Sequence, residues 1–205
     1  MTIMKKVIIT LILISALFTS KAQDPLFSQF NYTPVYFNPA NAGCGKNNLR
    51  LSAVTKMQWF NLYKPYRYFA GGLDYSIFDY NEKNVLNLGL IANSSSKGYL
   101  NHTNISGVVG RTFGTNTEDC SNWFLSLALQ AGVNFQRVNP NQFVFIDQLN
   151  QTGITGDASQ VDLFQTFNRK SYFDFASGFL FSKGDFMVGC AVHHLNEPNI
   201  SYNGT

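Results

Sequence analysis

The stretch from Trp123 to Val138 alternates between apolar and polar side chains along its whole length. One parity carries Leu, Val and Phe, and the other carries mainly Ser, Ala, Gln, Gly and Asn. Because successive side chains of a strand point to opposite faces, this period of two predicts one long β-strand with an apolar and a polar face. Such a strand fits the wall of a membrane β-barrel with a polar lumen. A long strand of a soluble β-sandwich is the alternative.

The same alternation recurs less regularly in six further segments. They are residues 49–60, 68–78, 86–93, 104–113, 172–182 and 185–194. Short turn-like connectors are expected at 79–83 and at Lys183-Gly184, and longer polar ones at 94–103 and 139–170. Alternation that is weak in each segment, with short and long connectors, is typical of an outer-membrane barrel. The sequence therefore predicts an all-β, antiparallel up-and-down barrel wall of about seven strands.

Seven strands do not match the even number of strands found in bacterial single-chain barrels. The segment after residue 194 is loop-like and offers no closing strand. An open sheet in lipid would leave unpaired backbone groups at its edges, which costs several kcal/mol for each group. We therefore expect residues 49–205 to be the N-terminal portion of a longer barrel, with a long insertion at 139–170.

The first residues resemble an export signal. Lys5 and Lys6 precede an apolar run from Val7 to Phe18, and small residues follow at Ser20 and Ala22. This pattern predicts a signal peptide over residues 1–22, cut after Ala22, and hence export and an outer-membrane location. The apolar run is shorter than the roughly 20 residues that span a bilayer as a helix.

Composition agrees with a membrane wall. Aromatic residues make up 15% of the chain and charged residues only 13%, which leaves little charge for covering a soluble surface. Without the predicted signal peptide, which contains three lysines and no acid, basic and acidic residues are equal in number. The charge therefore offers no basis for binding nucleic acid.

Candidate chemistry is sparse. His193 and His194 are adjacent in a predicted strand, so we expect their side chains on opposite faces of the sheet. His102 is distant in the sequence, and we therefore predict neither a metal site nor a cofactor. No serine lies in a nucleophile-elbow pattern, and catalysis is not expected. Three cysteines leave at least one unpaired: Cys44 and Cys120 lie in loop-like sequence and are placed to bridge, whereas Cys190 is expected in the wall.

Residues 23–48 form an irregular, aromatic and proline-rich lead-in segment. Pro25, Pro34 and Pro39 forbid a regular helix or a central strand. Irregular apolar sequence needs burial, and the interior or mouth of a barrel is one place that allows it. The Asn38-Pro39-Ala40 turn is interpreted as a proline-fixed start to the first strand rather than as a ligand site.

Four stretches of the chain together resemble the PorP/SprF family of type IX secretion system membrane proteins. They are DPLFSQFNYTPVYFNPANAG directly after the leader, Met57-Gln58-Trp59, Phe145-Ile-Asp-Gln148, and the end beginning His194-Leu-Asn-Glu-Pro-Asn. The first stretch is the most specific. Its signature positions are Asp24, Pro25, Phe27, Gln29, Phe30, Asn38, Pro39, Ala40 and Gly43.

The resemblance implies a non-enzymatic outer-membrane barrel of the secretion and gliding machinery. Its implied partners are a secreted adhesin-like surface protein and a periplasmic component linked to peptidoglycan. Phe145, Asp147 and Gln148 are candidate partner contacts, although Asp147 and Gln148 are equally suited to capping a turn. Two other functions remain open, an uptake pore for small apolar molecules and a secreted soluble β-sandwich that binds a surface ligand.

Overall fold

The computed structural model describes residues 30–45, 48–61, 64–79, 84–114, 123–138, 146–150, 153–154 and 169–198. Within them the fold is one antiparallel sheet of seven long strands that curls into a half-barrel, with a separate two-stranded ladder. The long strands are β1 (Leu49–Gln58), β2 (Tyr66–Phe78), β3 (Asn84–Lys97), β4 (Leu100–Gly114), β5 (Trp123–Val138), β8 (Arg169–Lys183) and β9 (Phe186–Val192), and the ladder pairs β6 (Leu149–Asn150) with β7 (Gly153–Ile154). The seven predicted strands and their up-and-down order are confirmed.

Strand β5 is paired on both sides over nearly its whole length. Leu100 of β4 lies opposite Val138, and Lys183 of β8 lies opposite Trp123. Ladder hydrogen bonds on both edges satisfy the backbone of β5 without help from solvent, as a strand in lipid requires. We call the end of the sheet at Val138 the upper rim and the end at Trp123 the lower rim.

The prediction of a long polar connector at 94–103 is wrong. Strand β3 continues to Lys97, β4 begins at Leu100, and only Gly98 and Tyr99 form the turn between them. Gly98 has φ +64°, a left-handed conformation that glycine adopts without strain. The polar residues belong to the strands themselves, because this part of the sheet buries Asn and Ser side chains on its inner face.

The two faces of the sheet are inverted relative to those of a soluble protein. Polar residues such as Asn87, Ser106 and Ser126 are buried on the concave face. Large apolar residues such as Leu90 and Leu129 are exposed on the convex face, and 68% of Leu129 is accessible. A sheet with many exposed Leu, Val and Phe side chains needs an apolar surrounding. This distribution contradicts the soluble β-sandwich alternative and fits a wall with lipid outside.

The apolar face of β5 has the length of a membrane-spanning band. Its outward side chains between Trp123 and Phe135 are aliphatic, and the two aromatic residues flank them. At about 3.3 Å per residue and a tilt of about 40°, this stretch is roughly 30 Å tall, close to the bilayer core. Arg111 on the outer face of β4 lies with its guanidinium carbon 5.2 Å from the ring centre of Phe113, near the lower rim.

Short helical turns precede the sheet. A 3₁₀ turn at Phe30–Tyr32, one α-helical turn at Pro34–Phe37 and a second 3₁₀ turn at Pro39–Asn41 follow one another. Proline is in the first turn of both the α-helical turn and the second 3₁₀ turn. Its lack of an N–H costs nothing there, because the first N–H groups of a helix have no partner within the helix. In the described part of the chain, no helix is both long and apolar enough to cross a bilayer.

The lipid-facing role of the convex face predicts the effect of a charge at its centre. Leu129→Arg is expected to destabilise the folded chain by about 2–4 kcal/mol, since a charge at bilayer mid-depth lacks water. Phe135→Arg, on the same face but near the upper rim, should cost only about 0–1 kcal/mol. Urea unfolding in lipid vesicles, followed by heat-modifiable gel migration, measures both. Equal losses for the two variants would contradict a lipid-facing gradient.

Candidate functional site

The described part of the lead-in segment lies across the concave face of the sheet. We call its described part from residue 33 to residue 44 the strap. The strap contacts β8 through Asn38, β5 through Ala40 and β2 through Gly43 before the chain turns into β1. Thus a single irregular segment covers the polar inner face and joins strands from both halves of the sheet.

Asn38 attaches the strap to β8 and β9. Its side-chain amide donates to the carbonyl of Phe179 at 3.0 Å and to that of Cys190 at 3.4 Å. Its Oδ1 accepts from the N–H of Ala40 at 2.9 Å, which caps the following 3₁₀ turn. Gly178 makes this approach possible, because a Cβ there would lie 2.7 Å from the Ala40 nitrogen and overlap Asn38 Oδ1.

The centre of the strap packs against β5. The Ser126 hydroxyl donates to the Ala40 carbonyl at 2.7 Å, and the Cys44 thiol donates to the same oxygen at 3.2 Å. Ala40 and Ala42 are fully buried in an apolar cluster that includes Val108 and Ala128 of the wall. Small side chains on both surfaces let the backbone of the strap approach the sheet closely.

Charged residues attach the other end of the strap. Asp74 Oδ1 lies 2.9 Å from Arg50 Nε, and Asp74 Oδ2 accepts from the Gly43 N–H at 2.9 Å. Arg50 also donates to the Asn41 carbonyl at 2.7 Å, and Ser76 donates to the Gly43 carbonyl at 3.1 Å. An acid and a base on the inner face of a membrane sheet are costly unless each is paired. Here each is paired, and both also bind backbone of the strap.

Gly43 is required by the geometry of this anchor. Its φ of +73° lies in the left-handed region, where a side chain would be strained. A Cβ would also overlap the side chains of Asn87 and Ser76. Glycine is therefore the residue that lets the strap lie flat against β2 and β3.

Four of the predicted signature positions, Asn38, Pro39, Ala40 and Gly43, come together in the strap. Phe30 begins the first 3₁₀ turn, whereas Asp24, Pro25, Phe27 and Gln29 lie outside the described residues. The interpretation of Asn38-Pro39-Ala40 as the start of the first strand is too narrow, because the turn docks on β5 and β8 rather than on β1.

Sequence reasoning missed the residues of the wall that hold the strap. Asp74 carried a usable signal, because it lies within β2 in a largely apolar, membrane-wall sequence, and Arg50, at the start of β1, supplies the opposite charge. Charges in such positions indicate a buried partner. Ser126 and Gly178 carried no comparable signal, since small residues occupy many positions of the same parity.

The expectation that His193 and His194 lie on opposite faces is wrong. Both line one cavity above the strap, together with His102 and Asp174. Strand β9 ends at Val192, so neither histidine belongs to it, and His194 has φ +57°, which is not an extended conformation. Its Nδ1 lies 3.0 Å from Asp174 Oδ1, and His193 Nε2 lies 3.1 Å from the Phe37 carbonyl oxygen. Over the described residues, no three His, Cys, Asp or Glu side chains are grouped as a metal site would need.

The predicted partner contacts lie in the insertion at the upper rim. Residues Ile146–Gln148 form a 3₁₀ turn that leads into β6, and Phe145 lies outside the described residues. The structure adds two apolar residues to this region, because Ile146 is 89% exposed and Leu149 is 53% exposed. The contact role of Phe145, Asp147 and Gln148 stays a prediction.

The cysteines occupy different environments. Burial raises the pKa of the Cys44 thiol, which points into the interior beside Ser126 and Thr112. Cys190 is exposed on the convex face of β9, as expected for a wall residue. Cys44 is a free thiol, so the structure does not show the candidate Cys44–Cys120 bridge, and Cys120 itself lies outside the described residues.

Docking of the strap predicts opposite outcomes for two glycine substitutions. Gly178→Ala is expected to lower the free energy of unfolding by about 1–3 kcal/mol, because the new methyl group meets the backbone of the strap. Gly107→Ala is the matched control, since no atom lies within 4 Å of a Cβ there. Urea titration of heat-modifiable gel migration measures both variants. A Gly178→Ala variant as stable as the control would contradict strap docking on β8.

The comparisons with known proteins rest on a family model. No curated protein and no solved structure matches the chain. The model described as "Type IX secretion system membrane protein PorP/SprF" matches residues 19–205, which include every described strand and the strap. The match confirms the resemblance based on the lead-in signature. The chain therefore belongs to the PorP/SprF family of type IX secretion system membrane proteins.

Proposed function

We propose that this chain is a non-enzymatic outer-membrane barrel component that assembles or anchors secreted surface proteins for the type IX secretion and gliding machinery. Its proposed partners are a secreted adhesin-like surface protein and a periplasmic component linked to peptidoglycan. The observation that carries the proposal is the strap, because a wall whose inner face is covered by its own chain is a scaffold rather than an open passage. Family membership supports a place in secretion.

The inner surface supports this function over uptake of small apolar molecules. The strap places buried Ala40 and Val35 against the wall, where a passage would have to run.

The upper rim offers the surface for a partner. Ile146 and Leu149 expose apolar side chains on the insertion that follows β5, adjoining the predicted contacts Asp147 and Gln148. Apolar side chains surrounded by polar rim residues are typical of the centre of a protein interface. We assign the secreted surface protein to this rim and the periplasmic component to the opposite one.

Affinity purification from native outer membranes tests the function. The tagged chain, solubilised in mild detergent, is expected to retain a secreted surface protein and a peptidoglycan-linked protein, both identified by mass spectrometry. Recovery of the chain alone, after mild cross-linking as well, would contradict the proposal. Steady conductance through the purified chain in planar bilayers would favour the uptake pore instead.

A rim substitution tests the contact separately. Ile146→Asp is expected to reduce recovery of the surface protein about tenfold, since one buried apolar anchor contributes more than about 1.4 kcal/mol. Asn101→Asp adds the same charge to an exposed position near the same rim and serves as the control. Equal recovery with both variants would place the partner elsewhere, without affecting the purification result.

A further inference from the structure

Two arginines lie side by side on the outer surface of the upper rim. Arg137, near the end of β5, is directly opposite Arg169, the first residue of β8. Both side chains are exposed, and their positions alternate in phase with the outward-facing Leu129 and Phe173, so both belong to the convex face. Residues directly opposite each other on antiparallel strands have Cβ atoms about 4.5–5.5 Å apart. The two guanidinium groups, which we call the arginine pair, therefore reach one common ligand.

The arginine pair has no counter-charge in the wall. Within the described part of the chain, no carboxylate forms an ion pair with either arginine. Its neighbours on the convex face are neutral, namely Asn101 on β4, opposite Arg137, and Ser171 on β8. Like charges directly opposite each other in a sheet repel and destabilise it. An anion bound between the two guanidinium groups would remove this repulsion.

The height of the arginine pair corresponds to the headgroup region of a membrane. The apolar band of β5 ends at Phe135, and Arg137 is the next residue on the convex face. Cations at this level lie beside lipid headgroups, where they attract anionic lipids. A guanidinium group presents a planar fork of N–H donors that matches the oxygens of a phosphate. The pair thus offers two such forks at the depth of lipid phosphates.

An apolar surface lies directly below these charges. Phe135 is opposite Ser171, and Val133 is opposite Phe173, all on the convex face. Phe135 is 50% exposed and Phe173 is 67% exposed. The hydroxyl of Ser171 adds a donor between the charges and the aromatic rings. Cationic donors above and aromatic rings below follow the order in which a lipid presents its phosphate and its acyl chains.

This arrangement distinguishes between phosphate-bearing ligands. Inorganic phosphate would bind the charges but leave Phe135 and Phe173 uncovered. A zwitterionic lipid would bring an ammonium group close to two arginines, which repel it. A lipid with a net negative headgroup satisfies both parts of the surface.

We propose that Arg137, Arg169 and Ser171 bind the phosphate of one anionic lipid, whose acyl chains cover Phe135 and Phe173. The site goes beyond the proposed secretion role, because it needs only a lipid-facing wall and no surface protein. The arginine pair flanks the insertion at 139–168, which leaves β5 after Val138 and re-enters the sheet at Arg169. The bound phosphate therefore holds together the two strand ends from which the insertion extends.

Native mass spectrometry of the full chain, released from detergent micelles, tests the site. The probes are phosphatidylglycerol, phosphatidic acid, phosphatidylcholine and inorganic phosphate. One saturable adduct of phosphatidylglycerol or phosphatidic acid is expected, with an affinity about tenfold above that for phosphatidylcholine, because only the anionic headgroups complement the charges. Equal affinity for phosphatidylcholine, or binding of inorganic phosphate as tight as that of the anionic lipids, would overturn the proposal.

Variants locate the lipid. Arg137→Gln should weaken the anionic adduct about tenfold, as the loss of a hydrogen bond between charged groups implies. Arg67→Gln is the matched control, since Arg67 is exposed on the same face near the same rim but lies between Met57 and Ser96 instead of beside a second cation. Equal weakening by both substitutions would indicate general attraction to charge and would overturn the site.

Stability in two kinds of vesicle gives an independent measurement. In phosphatidylcholine vesicles, Arg137→Gln should unfold at the same or a higher urea concentration than the parent chain, because repulsion is removed. In vesicles that contain phosphatidylglycerol it should unfold at a lower concentration, because the lipid stabilises only the parent. Arg169→Gln replaces it if Arg137→Gln shows no heat-modifiable migration. The same change in both kinds of vesicle would contradict a lipid site.

Discussion

The structure depends on one constraint: the large apolar side chains of the sheet face outward, so they cannot form a core on its concave face. Leu, Val and Phe cover the convex face and require lipid, so the concave face must be filled by other means. The strap fills it. Short turns within the strap bond the backbone N–H groups of Tyr36, Asn38, Asn41, Ala42 and Cys44. The wall bonds further backbone groups of the strap: Asp74 accepts from the Gly43 N–H, and Ser126 and Arg50 donate to the carbonyls of Ala40 and Asn41. Polar residues of the inner face thus form hydrogen bonds with the backbone of the strap.

Each residue of the Asn38-Pro39-Ala40 turn has a role in attaching the strap to the sheet. Proline sets the direction of the chain, alanine permits close approach, and asparagine bonds both the turn and β8. The inner surface is divided into two parts. Below, the strap and the wall satisfy each other. Above, a cavity remains between the strap and the inner faces of β3, β4, β5 and β8.

Sequence patterns predicted the strands well, because alternation is a local property and the membrane imposes it on each strand. The prediction of a loop at 94–103 failed because the inner face of the sheet is polar near the rim, so the sequence of the strands there resembles that of a loop. The docking of the strap was not predictable in detail, since Asn38 and Phe179 are 141 residues apart and no local pattern relates them. The histidine pair was misjudged because β9 ends at Val192 instead of continuing to residue 194, and the left-handed conformation of His194 has no sequence signal. By contrast, the burial of the irregular apolar lead-in segment inside the sheet was predictable, because irregular backbone needs hydrogen-bond partners that lipid does not provide.

The two attachments of the strap differ widely in sequence separation. The Gly43–Asp74 hydrogen bond joins residues 31 apart, so it closes a short loop. The bond from Asn38 to the Phe179 carbonyl joins residues 141 apart and closes a far longer loop, at an extra entropic cost that grows only with the logarithm of loop length. The strap thus links β2 and β8, which are separated by three strands in the order of the sheet, through one short continuous segment.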